Sequence, residues 1–256
     1  MLLDKSARYV GIAARMRAGD DDVSVEEARI AAVYARRAAP AKANRYSFFQ
    51  RDYLLTLQQR ERRVLRVLER EGFQPLEEKR ILEVGCGGGQ WIRDLIRWGA
   101  RPENLTGIDL LPDCIAEANV LCPAHVTLRC ASAADLGFRD GRFDLVLQST
   151  VFTSILDDRL KRRIAMEMLR VLKPAGMILW YDFLVNNPWN PNVRGVKRSE
   201  IRRLFAGCRI RLTRITLAPP IARRLARWAW PLCCLLEKIP LLCTHYLGVI
   251  RKGAGD

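Results

Sequence analysis

The sequence predicts an α/β protein built on a doubly wound, mainly parallel sheet. From residue 76 onward, short β-rich runs alternate with helical ones, the rhythm of βαβ units. The first such run ends in a glycine-rich turn, GCGGG at 85–89, of the kind that opens a helix beside a ligand. The 256 residues are 49% hydrophobic and 28% charged, enough for one ordinary core, which excludes disordered, collagen-like and coiled-coil classes.

Along the chain, Ser24 with Glu27 three positions later reads as a capping box opening a helix over 24–39 that stops before Pro40. A second helix is predicted over 48–71, where Leu54, Leu57, Val64, Leu65 and Leu68 recur at helical spacing and Gly72 supplies the stop. Beyond Pro75 the expected strands are 81–85, 105–109, 125–130, 143–149 and 176–183, with helices at 90–98, 113–120 and 157–172 between them. A helix at 199–205, a strand at 209–217, an amphipathic helical stretch at 220–238 and a strand at 244–251 complete the chain. Residues 1–75 thus read as a helical N-terminal cap, and 76–256 as the main domain with a helical insertion at 218–242.

The net charge of +15 favours an anionic partner. It is unevenly placed: residues 161–256 carry nineteen basic against five acidic side chains, whereas 1–160 are nearly balanced. Eight cysteines lack C-x-x-C spacing and read as reduced thiols, with no metal site. MLLDKSARYV has no apolar signal region, so a cytoplasmic location is expected. The apolar window 228–250 is interrupted by Pro231, Glu237, Lys238 and Pro240, which argues against a spanning helix.

The chemistry-bearing residues start at LEVGCGGGQWI, where glycines let backbone N–H groups approach a ligand. A dinucleotide fingerprint would need glycine where Gln90 stands, which argues against NAD or FAD. Asp109 ends the second strand twenty-four residues after Gly85, close to the offset at which an acid meets a ribose. Ser132 and Ala133 fall in the turn after strand three, where main-chain groups can read an adenine edge. Cys86, inside the loop, reads as a packing residue without a base to activate it.

Taken in order, LEVGCGGG, GIDLLP, ASAADLGFRDGRFDLVL and LRVLKPAGMILWYDF resemble the class I S-adenosylmethionine-dependent methyltransferases over about residues 80–185. The resemblance implies a Rossmann-like sheet of seven strands with the last antiparallel, and S-adenosylmethionine as cofactor. It implies a cofactor site of Glu83, Gly85, Cys86, Gly87, Gly89, Asp109, Leu110, Ser132, Ala133 and Gln148. Ser132 departs from the Gly-Asp-Ala turn of many relatives, where an acid holds the adenine amine. The strand-four loop QSTVFTSILDD lacks the histidine often seen there and offers Thr153 and Ser154 instead. Candidate catalytic groups are therefore His245, at the active-site end of the antiparallel strand, and Asp182, at the end of strand five; His125 would lie at the far edge.

The leading expectation is methyl transfer to a small molecule, a glycan, a lipid-linked or a quinone-like acceptor, preferably at oxygen. One rival is a nucleic-acid methyltransferase, supported by the basic C-terminal part but lacking the Asn/Asp-Pro-Pro-aromatic motif after strand four. Another is a degenerate cofactor-binding scaffold at a membrane. Arg223, Arg224 and Arg227 beside Trp228 and Trp230 resemble an interfacial helix, giving 218–242 an expected peripheral membrane contact, with a lid over the substrate pocket as the plainer role.

Overall fold

The computed structural model describes residues 21–37 and 47–253. Seven strands form one sheet: β1 (Ile81–Val84), β2 (Leu105–Asp109), β3 (Thr127–Cys130), β4 (Phe143–Ser149), β5 (Leu172–Phe183), β6 (Arg209–Leu217) and β7 (Cys243–Arg251). Their order is β3-β2-β1-β4-β5-β7-β6. The first five pair in parallel, and β7 runs antiparallel to both β5 and β6. The Rossmann-like sheet with an antiparallel last strand is therefore present, and the strand order reverses between β1 and β4.

The helices are α1 (Asp21–Arg37), α2 (Arg51–Arg70), α3 (Gln90–Arg97), α4 (Pro112–Leu121), α5 (Asp158–Val171), α6 (Arg198–Leu204), α7 (Pro219–Leu225) and α8 (Trp230–Leu236). Alternation along the strands divides the core. Val146, Ile178, Trp180 and Ile250 face one layer with α5, while Leu145, Leu147, Leu179 and Val249 face the other with Val64 and Leu68 of α2 and Trp91 of α3. Gly72 stops α2 with φ +70°, donating to Glu69 O while Phe73 N donates to Leu68 O.

Two expectations need correction. The capping box does not form: α1 already runs from Asp21, so Ser24 lies inside it, and Glu27 reaches across to another element. The end of that expected helix, 38–39, lies outside the described residues. The single helix over 220–238 is in fact two seven-residue helices separated at 226–229. Pro231 falls in the first turn of α8 and has no N–H to donate back to the carbonyl of Arg227, so a single helical ladder cannot run through from α7.

All loops that follow the parallel strands lie at one edge of the sheet, the edge where open α/β sheets bind ligands. Because β6 runs alongside β5 in direction, the insertion 218–242 leaves from this same edge and returns to it, with Ala218 N donating to Leu242 O at 2.8 Å.

Candidate cofactor site

The glycine loop is held open by close contacts that exclude side chains. A Cβ at Gly85 (φ +69°) would lie 2.4 Å from Val151 Cγ2, and one at Gly89 (φ +76°) 2.5 Å from Cys122 Sγ. At Gly87 (φ +51°) the same atom would meet nothing within 4 Å. The loop is thus packed on one side and has a cradle at its centre.

Asp109 binds this loop directly. Gly87 N donates to its Oδ2 at 2.8 Å and Leu111 N to its Oδ1 at 2.9 Å, so the carboxylate orients both the glycine turn and the start of α4. Burial raises its pKa, with those N–H donors working in the opposite direction. Glu83, next to the loop on β1, is buried and its Oε2 has no hydrogen-bond partner. Burial holds its carboxyl well above the usual range, offset in part by the charge of Arg60 from α2. Arg60 lies 4.2 Å above the Trp91 ring and donates to Asp94 Oδ2 at 3.1 Å, while its buried Nε has no partner.

The turn after β3 sits beside Asp109, with Ala131 N donating to Asp109 O at 3.0 Å. Ser132 Oγ accepts from Ala134 N and donates to Glu27 Oε1 of α1. The same helix is tied to the loop after β4: Leu156 N donates to Glu26 Oε1, Arg29 Nη2 to Ser154 O, and Tyr34 OH pairs with Ser154 Oγ. α1 therefore closes over the site edge through polar contacts to two strand-end loops.

On the far side of β1, Tyr181, Asp182 and His245 end β5 and begin β7. His245 stacks on Tyr181 with ring centroids 4.7 Å apart, and Thr244 Oγ1 pairs with its Nδ1 at 3.0 Å. Burial lowers its pKa to about 3, so the ring is neutral near pH 7. Asp182 is fully buried and pushed up to about 6 by that burial; its oxygens accept from Thr153 Oγ1, Thr153 N and Phe183 N. It pins the β4 loop to β5 and has no open face. Gln148 is likewise fully buried and accepts from Val151 N.

Residues 81–176 match the family described as Methyltransferase domain. A 106-residue stretch is 37% identical to a 2-methyl-6-phytyl-1,4-hydroquinone methyltransferase of Synechocystis sp., covering 40% of this chain and 31% of that protein. A 112-residue stretch is 30% identical to a tRNA N(3)-cytidine methyltransferase of Gallus gallus, covering 41% and 30%. The structure of an S-adenosylmethionine-dependent methyltransferase from Mesorhizobium loti superposes with a TM-score of 0.52 at 17% identity, over 73% of this chain and 96% of that one. Residues 81–176 thus match a methyltransferase domain, and the fold is the one S-adenosylmethionine-dependent methyltransferases have. The chain spans less than half the length of these curated relatives.

S-adenosylmethionine is the cofactor supported for this methyltransferase domain, and the residues present fit it. Its amino-acid end is a zwitterion, and here one buried carboxylate oxygen and one buried guanidinium nitrogen stand unpartnered beside the glycine cradle, at Glu83 and Arg60. Such orphans are costly unless a ligand supplies their partners. Glu83, Gly85, Cys86, Gly87, Gly89, Asp109 and Leu110 fall at the β1 and β2 ends, Ser132 and Ala133 on the next turn, and Gln148 beneath the β4 loop. Burial raises the Cys86 thiol, which keeps it inert. His125 is exposed before β3, away from this group.

Arg60 and Glu27 escaped the sequence reading. Arg60 is one of several arginines on α2 with nothing local to single it out, and Glu27 was assigned to its own helix cap. Among the described residues no His/Cys/Asp/Glu cluster is arranged for a metal, and no helix is long and apolar enough to cross a membrane.

Proposed function

We propose that the protein transfers a methyl group from S-adenosylmethionine to an oxygen of a small apolar or lipid-linked acceptor, quinone-like or glycan-bearing, that reaches the site from a membrane surface. The observation that carries the acceptor class is a set of large exposed apolar side chains, with arginines among them, on the insertion and on the segment hydrogen-bonded to it. Phe49 is 97% exposed, Trp228 84% and Leu241 83%, with Leu235 and Ile239 also open to solvent. Arg51 Nη1 donates to Arg227 O at 2.9 Å, joining the Phe48–Phe49 segment to the insertion, and Arg223, Arg224 and Lys238 lie along the same segment. Large exposed rings among arginines fit an acyl boundary beneath anionic headgroups.

The cofactor supplies a methyl group activated on sulfonium. The chain's own task is to align the acceptor and exclude water, an effect that can supply most of the acceleration. Glu83 and Arg60 would hold the amino-acid end, Asp109 the ribose, and the turn at Ser132 and Ala133 the base. His245 and Asp182 remain the proposed groups nearest the acceptor, in restricted roles. A histidine with a pKa near 3 is a poor base at neutral pH. His245 would instead accept a hydrogen bond from an acceptor hydroxyl, while Asp182 positions Thr153 and the β4 loop.

The proposal is tested by flotation with phosphatidylcholine vesicles, with and without phosphatidylglycerol. Wild type is expected to float with the anionic vesicles in a salt-sensitive manner, and the Arg223→Glu, Arg224→Glu variant to stay at the bottom. A wild type that never floats removes the membrane-delivered acceptor. Retention on duplex or single-stranded RNA, lost in the same variant, would move the nucleic-acid reading forward, since the basic surplus of residues 161–256 would then have its partner.

A further inference from the structure

We propose that Glu27, brought in by α1, accepts the 6-amino group of the cofactor's adenine in place of an acid on the β3 turn. The inference rests on S-adenosylmethionine being the cofactor. A ribose anchored at Asp109, on β2, directs its base one strand spacing outward, about 5 Å, onto the turn after β3. Hydrogen bonding between Ala131 N and Asp109 O fixes that adjacency. An exocyclic amine is a donor only, so the turn must present an acceptor.

Ser132 is poorly equipped for that alone. Its hydroxyl proton goes to Glu27 Oε1, and its oxygen already accepts from Ala134 N. Glu27 supplies what is missing. The residue is only 6% exposed, and its second oxygen, Oε2, is buried with no hydrogen-bond partner. The opposite charge acting on it is that of Arg163, whose Nε donates to Ala134 O. Burial raises the Glu27 pKa, as expected of a carboxylate short of donors. Glu26, one residue earlier, is by contrast fully engaged: Arg29, Leu156 N and Asp157 N all donate to it. Docking of α1 is thus secured by Glu26, Arg29 and Tyr34, which leaves the free oxygen of Glu27 without a structural task.

The test compares calorimetric titrations of the full chain with S-adenosylhomocysteine and with S-inosylhomocysteine, in which a carbonyl replaces the 6-amino group. Wild type should prefer the adenosyl ligand by tenfold or more, as loss of a hydrogen bond to a charged group predicts. Glu27→Gln should lose that preference to within about threefold, because its amide can donate to the inosyl carbonyl, while its thermal midpoint without ligand stays near wild type. Placing an acid on the turn, Ser132→Asp in the Glu27→Gln background, should restore the adenosyl preference. Equal weakening of both ligands in Glu27→Gln, or an unchanged preference, would overturn the proposal and leave the cofactor assignment standing. Wild type binding neither ligand would overturn both.

Discussion

His245 makes the acid stability of this protein a readable quantity. In the unfolded chain its imidazole titrates near 6.5. In the folded protein, stacked on Tyr181 and packed on Phe183, burial lowers the value to about 3. Below pH 6.5 the unfolded chain therefore binds a proton that the native chain refuses. The stabilisation is fully present above 6.5 and is lost as pH falls toward 3. At pH 4 the unfolded state has gained about 2.5 units of proton affinity over the native one, worth about 3 kcal/mol relative to pH 7. His245→Gln removes the titration and keeps a polar side chain beside Thr244. Urea unfolding followed by tryptophan fluorescence at pH 7, 6, 5 and 4 gives the curves. Buried acids such as Asp182 and Glu27, whose raised pKa values act with the opposite sign, are common to both proteins and cancel in the difference. The stability of wild type minus that of the variant should fall by about 3 kcal/mol between pH 7 and 4, whatever the variant's absolute stability. Parallel curves would refute the reasoning and place a charged, accessible histidine at the β7 start.

Further outcomes follow from neighbouring contacts. Gly87→Ala should fold with a loss of about 1–2 kcal/mol from its left-handed backbone and fail to bind cofactor, since its methyl enters the cradle; calorimetry and thermal melting separate the two effects. Gly85→Ala should instead lose several kcal/mol, because its methyl would sit 2.4 Å from Val151 Cγ2. Asp109→Asn should weaken S-adenosylmethionine binding tenfold or more and lower the melting midpoint by an amount worth about 1–3 kcal/mol, because its amide nitrogen, a donor, would face one of the two N–H groups, Gly87 N or Leu111 N, that the carboxylate accepts from. Glu200→Ala should cost about 3–5 kcal/mol in urea unfolding, because Lys161, fully buried at 2.7 Å from Glu200, is left without that partner.

The sheet was largely legible in the sequence because its signals are local. Runs such as LTGID, FDLVLQS and RIRLTRITL declare β propensity over their own length, and their strands have those boundaries. The glycine loop and Asp109 were legible for the same reason, as a strand, a turn and a second strand follow at fixed offsets. What escaped depends on partners far along the chain. Glu27 meets Ser132 across 105 residues, and Lys161 meets Glu200 across 39. Arg60 becomes distinctive only where α2 crosses Trp91. No periodicity reports which residue will stand opposite another. The Ser24–Glu27 spacing failed more instructively: its local capping signal was overridden by a tertiary contact that drew the glutamate to the β3 turn.

The central claim is that the glycine cradle with Glu83, Arg60 and Asp109 holds S-adenosylmethionine. Calorimetric titration of the full chain with S-adenosylmethionine and, separately, with NADH tests it most directly. Saturable heat with the sulfonium cofactor alone, abolished by Gly87→Ala, is the predicted result. Binding of NADH, or silence with S-adenosylmethionine from a folded protein, would contradict it.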